Sequence, residues 1–226
     1  MTQVPSAQHP LVAREGWWAL AVCGALTVLA YAFVGTFAAL AGLTALVSFG
    51  WYFRDPQRDS PSLPLAVVAA VDGRVTATGN QWDPWMGRDA CAVHIVMRVF
   101  DAHSIFSPVE GKIIEQWSTP PHPAVGTQIV RQTAAYQIRT DEGDDVVLEI
   151  ARPSRAGQIS IYYQPGERVG HGRRVGFAPL GCRVAIYAPF GSRLEISSGA
   201  ESIAAASVVS TLVHESPVSA IPEHQS

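Results

Sequence analysis

The chain contains few charged residues, few cysteines and no surplus of basic side chains. Only 15% of its 226 residues are charged, whereas 48% are hydrophobic. An average soluble protein has about 25% charged residues. This composition excludes disorder of the whole chain, which requires low hydrophobicity. The 16 Lys and Arg residues against 19 Asp and Glu residues argue against nucleic acid as a partner, because phosphate backbones attract basic proteins.

The three cysteines are too few and too scattered for a disulfide framework or a CxxC metal site. They are Cys23, Cys91 and Cys182. We therefore predict no metal and expect a reducing, cytoplasmic environment. The sequence also contains no P-loop, GxSxG or HExxH motif, so nothing indicates the nucleotide-binding, serine-hydrolase or zinc-protease chemistry of those motifs.

The hydrophobic excess is concentrated near the N-terminus, where residues 16–53 contain no charged residue. A single helix of this length would extend about 57 Å at 1.5 Å per residue, and the hydrocarbon core of a bilayer is about 30 Å thick. We therefore predict two helices, over residues 17–33 and 37–53, with a break near Gly35 and Thr36.

The flanks of this run predict a membrane hairpin. Arg14 precedes the run, Arg54 and Arg58 follow it, and Trp and Tyr residues lie at its outer ends. Positive residues at both ends place both ends on the cytoplasmic face of the cell membrane. A buried helical hairpin in a soluble protein is the alternative interpretation.

After the hairpin the sequence predicts a mainly β domain. The proline-containing residues 54–65 are typical of a linker, and the segments that follow alternate apolar and polar residues. The predicted strands are 65–71, 92–99, 111–116, 133–139, 145–150, 158–163, 183–187 and 193–197.

The predicted fold class is therefore α+β, with a mainly β soluble domain preceded by an N-terminal transmembrane helical hairpin. The predicted divisions are a tail over 1–15, the hairpin over 16–53, the linker over 54–65, the domain over 66–213 and a disordered tail over 214–226.

Five segments, in order, resemble motifs of the short phosphatidylserine decarboxylase proenzymes. Residues 53–58 (FRDPQR) resemble FRDPxR, and residues 70–75 (AVDGRV) resemble PADGxV. Residues 97–103 (MRVFDAH) are similar to MSxxDxH, and residues 107–113 (SPVEGKI) to APVxGxV. Residues 166–189 follow GExxxxGxxxGxxxxGSRVxxYxP without a gap. The last of these segments carries the most matched positions and sets the register.

The resemblance implies a self-derived pyruvoyl cofactor. In this family a Gly–Ser bond breaks by serinolysis, and the serine becomes a pyruvoyl group at the N-terminus of a small α-chain. The pyruvoyl carbonyl forms a Schiff base with the substrate amine and accepts the electrons that decarboxylation releases. The implied partners are a phospholipid substrate, a membrane, and the α- and β-chains of one proenzyme. Whether the protein forms a homo-oligomer is left open.

Carried over residue by residue, the resemblance implies three catalytic residues. Asp72 is the orienting carboxylate, and Cys182 occupies the position of the nucleophile. His103 acts as acid or base and helps to protonate the carbanion that decarboxylation leaves on the substrate. The cleaved bond is then Gly181–Cys182, with Cys182 as the pyruvoyl precursor. Such a site needs a nucleophile, a base and an orienting carboxylate.

Position 182 is the largest departure from the family, which has serine there. A thiol can attack the Gly181 carbonyl to form a thioester, and elimination then gives dehydroalanine, which hydrolyses to the same pyruvoyl group. Ser192, in a literal FGSR sequence at residues 190–193, is the alternative nucleophile. The gapless register favours Cys182, because Ser192 follows the YxP element.

Several family positions expected to contact substrate are also replaced. Residues 104–106 read SIF where the family has VNR, the family's ERN segment has no match, and its AGxxARRIV segment is replaced by residues 152–159. Only Arg152 and Arg155 supply basic groups there, so the substrate-binding residues stay unknown at this point.

Two functions remain in view. The first is a membrane-bound, pyruvoyl-dependent decarboxylase that converts phosphatidylserine to phosphatidylethanolamine after self-cleavage at Gly181–Cys182. The second is a catalytically inactive, membrane-anchored homologue with a binding or regulatory role. The retained Asp72, Asp101 and His103 favour the enzyme, whereas Cys182 and the lost arginines favour the inactive homologue. A soluble thiol enzyme that uses Cys182 and His103 without self-cleavage is the remaining alternative.

Overall fold

The computed structural model describes residue 13 and residues 16–56, 58–61, 63–118, 132–152 and 158–213. Within these residues the chain forms two helices followed by strands. Arg14, Arg155 and the predicted tail 214–226 lie outside the described residues, as does the predicted tail 1–15 apart from Ala13.

The helices are α1 (Trp17–Phe33) and α2 (Thr36–Tyr52). The strands are β1 (Ala66–Val68), β2 (Gly73–Asp83), β3 (Arg88–Val96), β4 (Ser104–Phe106), β5 (Gly111–Trp117), β6 (Gln132–Arg139), β7 (Asp145–Arg152), β8 (Ser160–Ile161), β9 (Arg168–Val169), β10 (Arg174–Phe177), β11 (Arg183–Pro189), β12 (Arg193–Leu194), β13 (Glu201–Ser202) and β14 (Val208–Thr211).

The two helices pack against each other as a hairpin that turns at Gly35. This residue has φ 104°, a backbone conformation that glycine adopts without steric cost. The Cys23 thiol donates to the Gly42 carbonyl oxygen at 3.9 Å, which joins the middle of α1 to the middle of α2. At the base of the hairpin, the Ala13 backbone N–H donates to the Phe53 carbonyl oxygen at 2.8 Å.

The predicted transmembrane hairpin is wrong, although the helix bounds agree with the prediction within one residue. Each helix has 17 residues, or about 26 Å at 1.5 Å per residue, and about 30 Å of hydrocarbon must be crossed. No helix among the described residues is long and apolar enough to cross a membrane. Two spanning helices of the usual length of about 20 residues need about 40 residues, which is more than residues 16–53 supply, and the turn also takes residues from this run.

The helices nevertheless expose an unusual amount of apolar surface. None of their side chains is buried. The most exposed are Trp18 at 83%, Phe33 at 84% and Phe37 at 91%. A single exposed apolar side chain is ordinary, but a contiguous patch of them marks an interaction surface.

The strands form one large sheet and two small ones. The large sheet has eight strands in the order β13-β2-β3-β11-β7-β6-β5-β9, and the small sheets have the orders β1-β14-β12 and β4-β10-β8. All the pairings among the described strands are antiparallel. The β domain therefore closes its core between the face of the large sheet and the two small sheets.

The central strand β3 is covered on both faces. Cys91, Val93 and Ile95 belong to the main core, whereas Ala90 and Ala92 belong to a second apolar cluster packed under tryptophan rings on the other face. Small alanine side chains let those large rings lie close to the sheet. Because β3 and its neighbour β11 are held from both sides, the chain segments at their ends are held in fixed positions.

The segment predicted to be a linker lies against the β domain. Asp55 is 4% exposed and forms an ion pair with Arg174 at 2.8 Å. Arg58 donates to Asp72 at 2.6 Å. The described part of residues 54–65 therefore connects the helix pair to the β domain through buried charged contacts.

Candidate functional site

Two segments far apart in sequence, residues 97–103 and residues 178–182, meet beside the N-terminal end of β11. The Met97 backbone N–H, just after β3, donates to the carbonyl oxygen of Cys182 at 3.1 Å. The Ala178 backbone N–H, just after β10, donates to the carbonyl oxygen of His103 at 2.8 Å. The β4–β10 ladder sets this second contact, because it pairs Ser104 with Phe177. The sequence-predicted histidine and cysteine are thus brought to one end of the sheets.

Cys182 is a buried thiol immediately before β11. Its exposure is 0%, and burial raises the pKa of the thiol to about 12, an effect that the positive charge of Arg152 partly opposes. At neutral pH only about one thiol in 100,000 is then a thiolate. A reaction through this sulfur requires a base to remove its proton.

His103 is fully buried, and no described residue lies in full hydrogen-bonding geometry with either imidazole nitrogen. Its exposure is 0%, and neither Nδ1 nor Nε2 has a hydrogen-bond partner among the described residues. Burial lowers the pKa of the imidazole, against the opposing influence of Asp101. An unpaired buried polar group costs about 1–3 kcal/mol, and such groups require an explanation. A neutral imidazole with both nitrogens available is suited to accept a proton.

The structure does not place Asp72 as the partner that orients His103. Its Oδ2 accepts from Arg58 at 2.6 Å, and its Oδ1 accepts from the Ala204 backbone N–H at 2.8 Å. Asp101 is likewise engaged, because it accepts from the Arg98 backbone N–H at 2.7 Å and from the Arg98 guanidinium. The catalytic role of Asp72 stays a prediction, because no hydrogen bond joins Asp72 to His103 among the described residues.

Two aromatic residues of the site were missed by the sequence analysis. Tyr52, the last residue of α2, has its ring centroid 4.4 Å from that of His103, and Phe177 has its centroid 5.9 Å from the same imidazole. Tyr52 is one of the Trp and Tyr residues at the outer ends of the charge-free run, which were used to predict a membrane hairpin. The one available signal was its position directly before the FRDPQR segment, in which Arg54, Asp55 and Arg58 contact the β domain.

Gly181 lies in the turn that joins β10 to β11, with φ +76° and no atom within 4 Å of where a Cβ would be. A residue with a side chain would be strained in this left-handed conformation. The turn therefore requires glycine at this position, and the peptide bond from Gly181 to Cys182 follows directly from it.

The alternative nucleophile, Ser192, lies beyond the opposite end of β11. The seven-residue strand extends about 23 Å at 3.3 Å per residue, which separates Ser192 from the His103 end. Its hydroxyl donates to the Pro189 carbonyl oxygen at 2.7 Å, and its own carbonyl oxygen accepts from the Cys91 thiol. The structure therefore groups Cys182 with His103 and leaves Ser192 in a separate turn.

Of the two predicted basic residues, Arg152 is at the site and Arg155 lies outside the described residues. The β7–β11 ladder pairs Ala151 with Arg183, so Arg152 follows on β7 next to Cys182. Its charge lowers the pKa of that thiol. A fixed guanidinium beside a nucleophile can attract an anionic group of a substrate.

Comparison with known proteins identifies the family that this arrangement belongs to. A sequence model of the family described as phosphatidylserine decarboxylase matches residues 46–210. A phosphatidylserine decarboxylase proenzyme of Nitrosomonas europaea is 35% identical over 199 residues, which cover 86% of this chain and 92% of that protein. The proenzyme of the same name from Burkholderia vietnamiensis is 34% identical over 208 residues, covering 90% and 97%. No solved structure matches the chain.

Proposed function

The chain belongs to the phosphatidylserine decarboxylase family of enzymes, and from that premise we propose that it cleaves itself between Gly181 and Cys182 to make a pyruvoyl-dependent decarboxylase. Its substrate is phosphatidylserine and its products are phosphatidylethanolamine and carbon dioxide. The observation that carries the proposal is the grouping of a fully buried thiol, a fully buried imidazole with two unpaired nitrogens, and a glycine turn at one end of β11.

The residues present fit a pyruvoyl group derived from position 182. The carbonyl oxygen of Cys182 is already held by the Met97 backbone N–H, so residue 182 keeps an anchor when its own amide bond is broken. The main core surrounds the side chain, which excludes water from the reacting atoms. His103 supplies an unpaired base, and Arg152 supplies a positive charge for an anionic substrate.

Self-cleavage proceeds through the thiol of Cys182. His103 takes the thiol proton, the sulfur attacks the carbonyl carbon of Gly181, and the Gly181–Cys182 C–N bond breaks as the freed amine gains the proton. Removal of the Cα proton of residue 182 then expels the thiocarboxylate of Gly181 and leaves dehydroalanine. Hydrolysis of its imine form by water releases ammonia and completes the pyruvoyl group. The β-chain is residues 1–181 and the α-chain residues 182–226.

When formed, the pyruvoyl carbonyl supplies an electron sink for the decarboxylation of an amine substrate. This chain's own residues complete the reaction. Arg152 binds an anionic group of the phospholipid headgroup, the apolar core excludes water, and His103 holds the proton that is returned to the substrate carbon after carbon dioxide leaves.

Decarboxylation of a defined lipid tests this activity. The purified wild-type protein is incubated with phosphatidylserine in detergent micelles, and lipid mass spectrometry measures phosphatidylethanolamine. We expect product with the wild type and none after treatment with a carbonyl-blocking hydroxylamine, which reacts with a pyruvoyl group. Product that persists at the same rate after this treatment would contradict the pyruvoyl cofactor.

We also propose that the protein binds the cytoplasmic surface of the cell membrane through the exposed side chains of α1 and α2. The support is the contiguous apolar surface of the helix pair, which lies directly before Tyr52 and the site. Each large apolar side chain moved from water into lipid contributes about 1.5–3 kcal/mol. The three free cysteines favour a reducing compartment. This arrangement would bring the site close to lipid headgroups.

Binding to vesicles tests the membrane proposal. We expect the wild type to float with phosphatidylcholine vesicles even at high salt, because apolar contacts are not screened. Replacing both Phe33 and Phe37 with Asp should weaken binding by about tenfold or more, since each loses apolar transfer free energy. The matched control is Phe190→Asp, which changes a 65% exposed side chain on the β domain. Equal binding by the double variant and the control would contradict the role of the helix pair.

A further inference from the structure

Tyr52 connects the helix pair to both halves of the candidate site. It is the last residue of α2, and its ring lies 4.4 Å from the imidazole of His103, measured between centroids. The Leu180 backbone and the Cys182 thiol both act on the pKa of its phenol, so the hydroxyl faces the segment that contains both residues. One side chain therefore packs on the candidate base with its ring and turns its hydroxyl toward the candidate cleavage turn.

The hydroxyl contact lies one residue before the glycine of the cleavage bond. Leu180 belongs to the turn between β10 and β11, and Gly181 follows it in a left-handed conformation. On the other side of the same bond, the Met97 backbone N–H holds the Cys182 carbonyl oxygen at 3.1 Å. The Gly181–Cys182 bond thus lies between the turn that the Tyr52 hydroxyl faces and the carbonyl group that Met97 holds.

The ring contact restricts the imidazole. No described residue lies in full hydrogen-bonding geometry with either nitrogen of His103, and the Ala178 backbone acts on the imidazole only as a minor influence on its pKa, so ring packing is the main constraint on its orientation. Tyr52 packs on it at 4.4 Å with an interplanar angle of 40°, and Phe177 packs on it at 5.9 Å with an angle of 51°. Loss of the Tyr52 ring would remove the nearer of these two aromatic contacts.

The hydroxyl itself is not suited to act as the base. Burial raises the pKa of Tyr52 above its ordinary value, an effect that the Leu180 backbone opposes. The phenol therefore keeps its proton at neutral pH. Its contribution is to hold neighbouring groups in place, which is the role of a positioning residue.

We propose that Tyr52 is a positioning residue for self-cleavage, which holds His103 with its ring and the Leu180–Gly181 turn with its hydroxyl. This role rests on the proposed function, since it requires cleavage at Gly181–Cys182. It also makes the helix pair part of the processing site, because the end of α2 must dock on the β domain before the bond can break.

The test follows cleavage of newly made precursor in a cell-free synthesis reaction, by pulse labelling and gel analysis. Tyr52→Phe removes the hydroxyl and keeps the ring, and we expect cleavage to slow about tenfold, the effect of losing one positioning hydrogen bond. The matched control is Tyr31→Phe, which removes a hydroxyl from a 63% exposed tyrosine of α1 and should cleave at the wild-type rate. Thermal unfolding of the variants, each carrying Cys182→Ala to keep it uncleaved, shows whether each variant folds.

A second variant, Tyr52→Leu, separates positioning from a general loss of stability. Without the ring, water reaches His103 and its pKa rises from the value that burial had lowered. Arg54 and Asp101 are the charged residues that act on the same imidazole, and both remain. The low-pH limb of the cleavage rate, which requires neutral imidazole, should therefore move to higher pH in Tyr52→Leu and stay in place in Tyr52→Phe.

The outcomes are distinct. A folded Tyr52→Phe variant that cleaves at the rate of Tyr31→Phe would overturn the positioning role while leaving the proposed function intact. An unshifted pH profile in Tyr52→Leu would overturn the ring contact as the constraint on His103. A wild-type chain that is never cleaved would overturn the proposed function and this role with it.

Discussion

Cys182→Ala is expected to give only the intact chain and no decarboxylase activity. The change removes the sulfur that attacks Gly181 and that is lost when the pyruvoyl group forms, so the loss of activity should reach several orders of magnitude. Denaturing gels and the lipid assay measure both effects. The fold should survive, because a buried free cysteine behaves as a small apolar residue and alanine lacks only one of its heavy atoms, the sulfur.

The comparison variants make this result specific. Cys91→Ala removes another buried free thiol, one that belongs to the same core, and it should cleave and decarboxylate normally. Cys182→Ser restores the residue found in the family and should cleave as fast as the wild type or faster, since elimination of an oxygen leaving group suits the family's site. Cleavage that continues in Cys182→Ala would exclude this residue as the nucleophile.

His103→Gln is expected to slow cleavage by about 100-fold to 10,000-fold at pH 7, the usual contribution of a general base. Because burial raises the pKa of the Cys182 thiol to about 12, few thiolates form without a base. Burial lowers the pKa of His103, so the wild-type rate should rise with pH only up to a value below about 6.5 and then level off.

The variant should show a different pH dependence. Without the imidazole, the cleavage rate should follow the thiolate fraction and increase about tenfold per pH unit between pH 7 and 9. The matched control is His94→Gln, on β3, where the ring pairs with Gln81 at 2.8 Å. A wild-type profile that climbs tenfold per unit over the same range would show that His103 does not serve as the base.

The helix bounds could be predicted from the sequence because they depend on local features. Gly35 breaks a continuous apolar run, and the two helices begin and end within one residue of the predicted positions. The prediction that they span a membrane was wrong, because it used the length of the whole charge-free run and not the length of each helix. Each 17-residue helix is set by its own ends, and neither is long enough to cross.

The strands were predictable where apolar and polar residues alternate. β6 and β7 lie close to their predicted bounds, 133–139 and 145–150. The eleven-residue β2 (Gly73–Asp83) was missed, because glycine, asparagine and threonine dominate its second half and its partner β3 supplies the apolar side chains. Pairing along the whole length of β3, rather than its own sequence pattern, makes this segment a strand.

The site could be located only through the resemblance to the family. No periodicity in the sequence brings Tyr52, His103 and Cys182 together, because the contacts among them depend on the β4–β10 and β3–β11 ladders and on the docking of α2. Asp72 illustrates the opposite case. The motif around Asp72 predicted that its carboxylate orients His103. In the structure this carboxylate forms an ion pair with Arg58 at 2.6 Å instead.

Intact mass of the purified wild-type protein tests the central claim most directly. We predict two chains, residues 1–181 and residues 182–226, with the second carrying a pyruvoyl group in place of Cys182. The first should end in a thiocarboxylate, or in a carboxylate after that group hydrolyses. A single uncleaved mass for both the wild type and Cys182→Ser would contradict self-cleavage, and a break before Ser192 would contradict the assignment of the nucleophile.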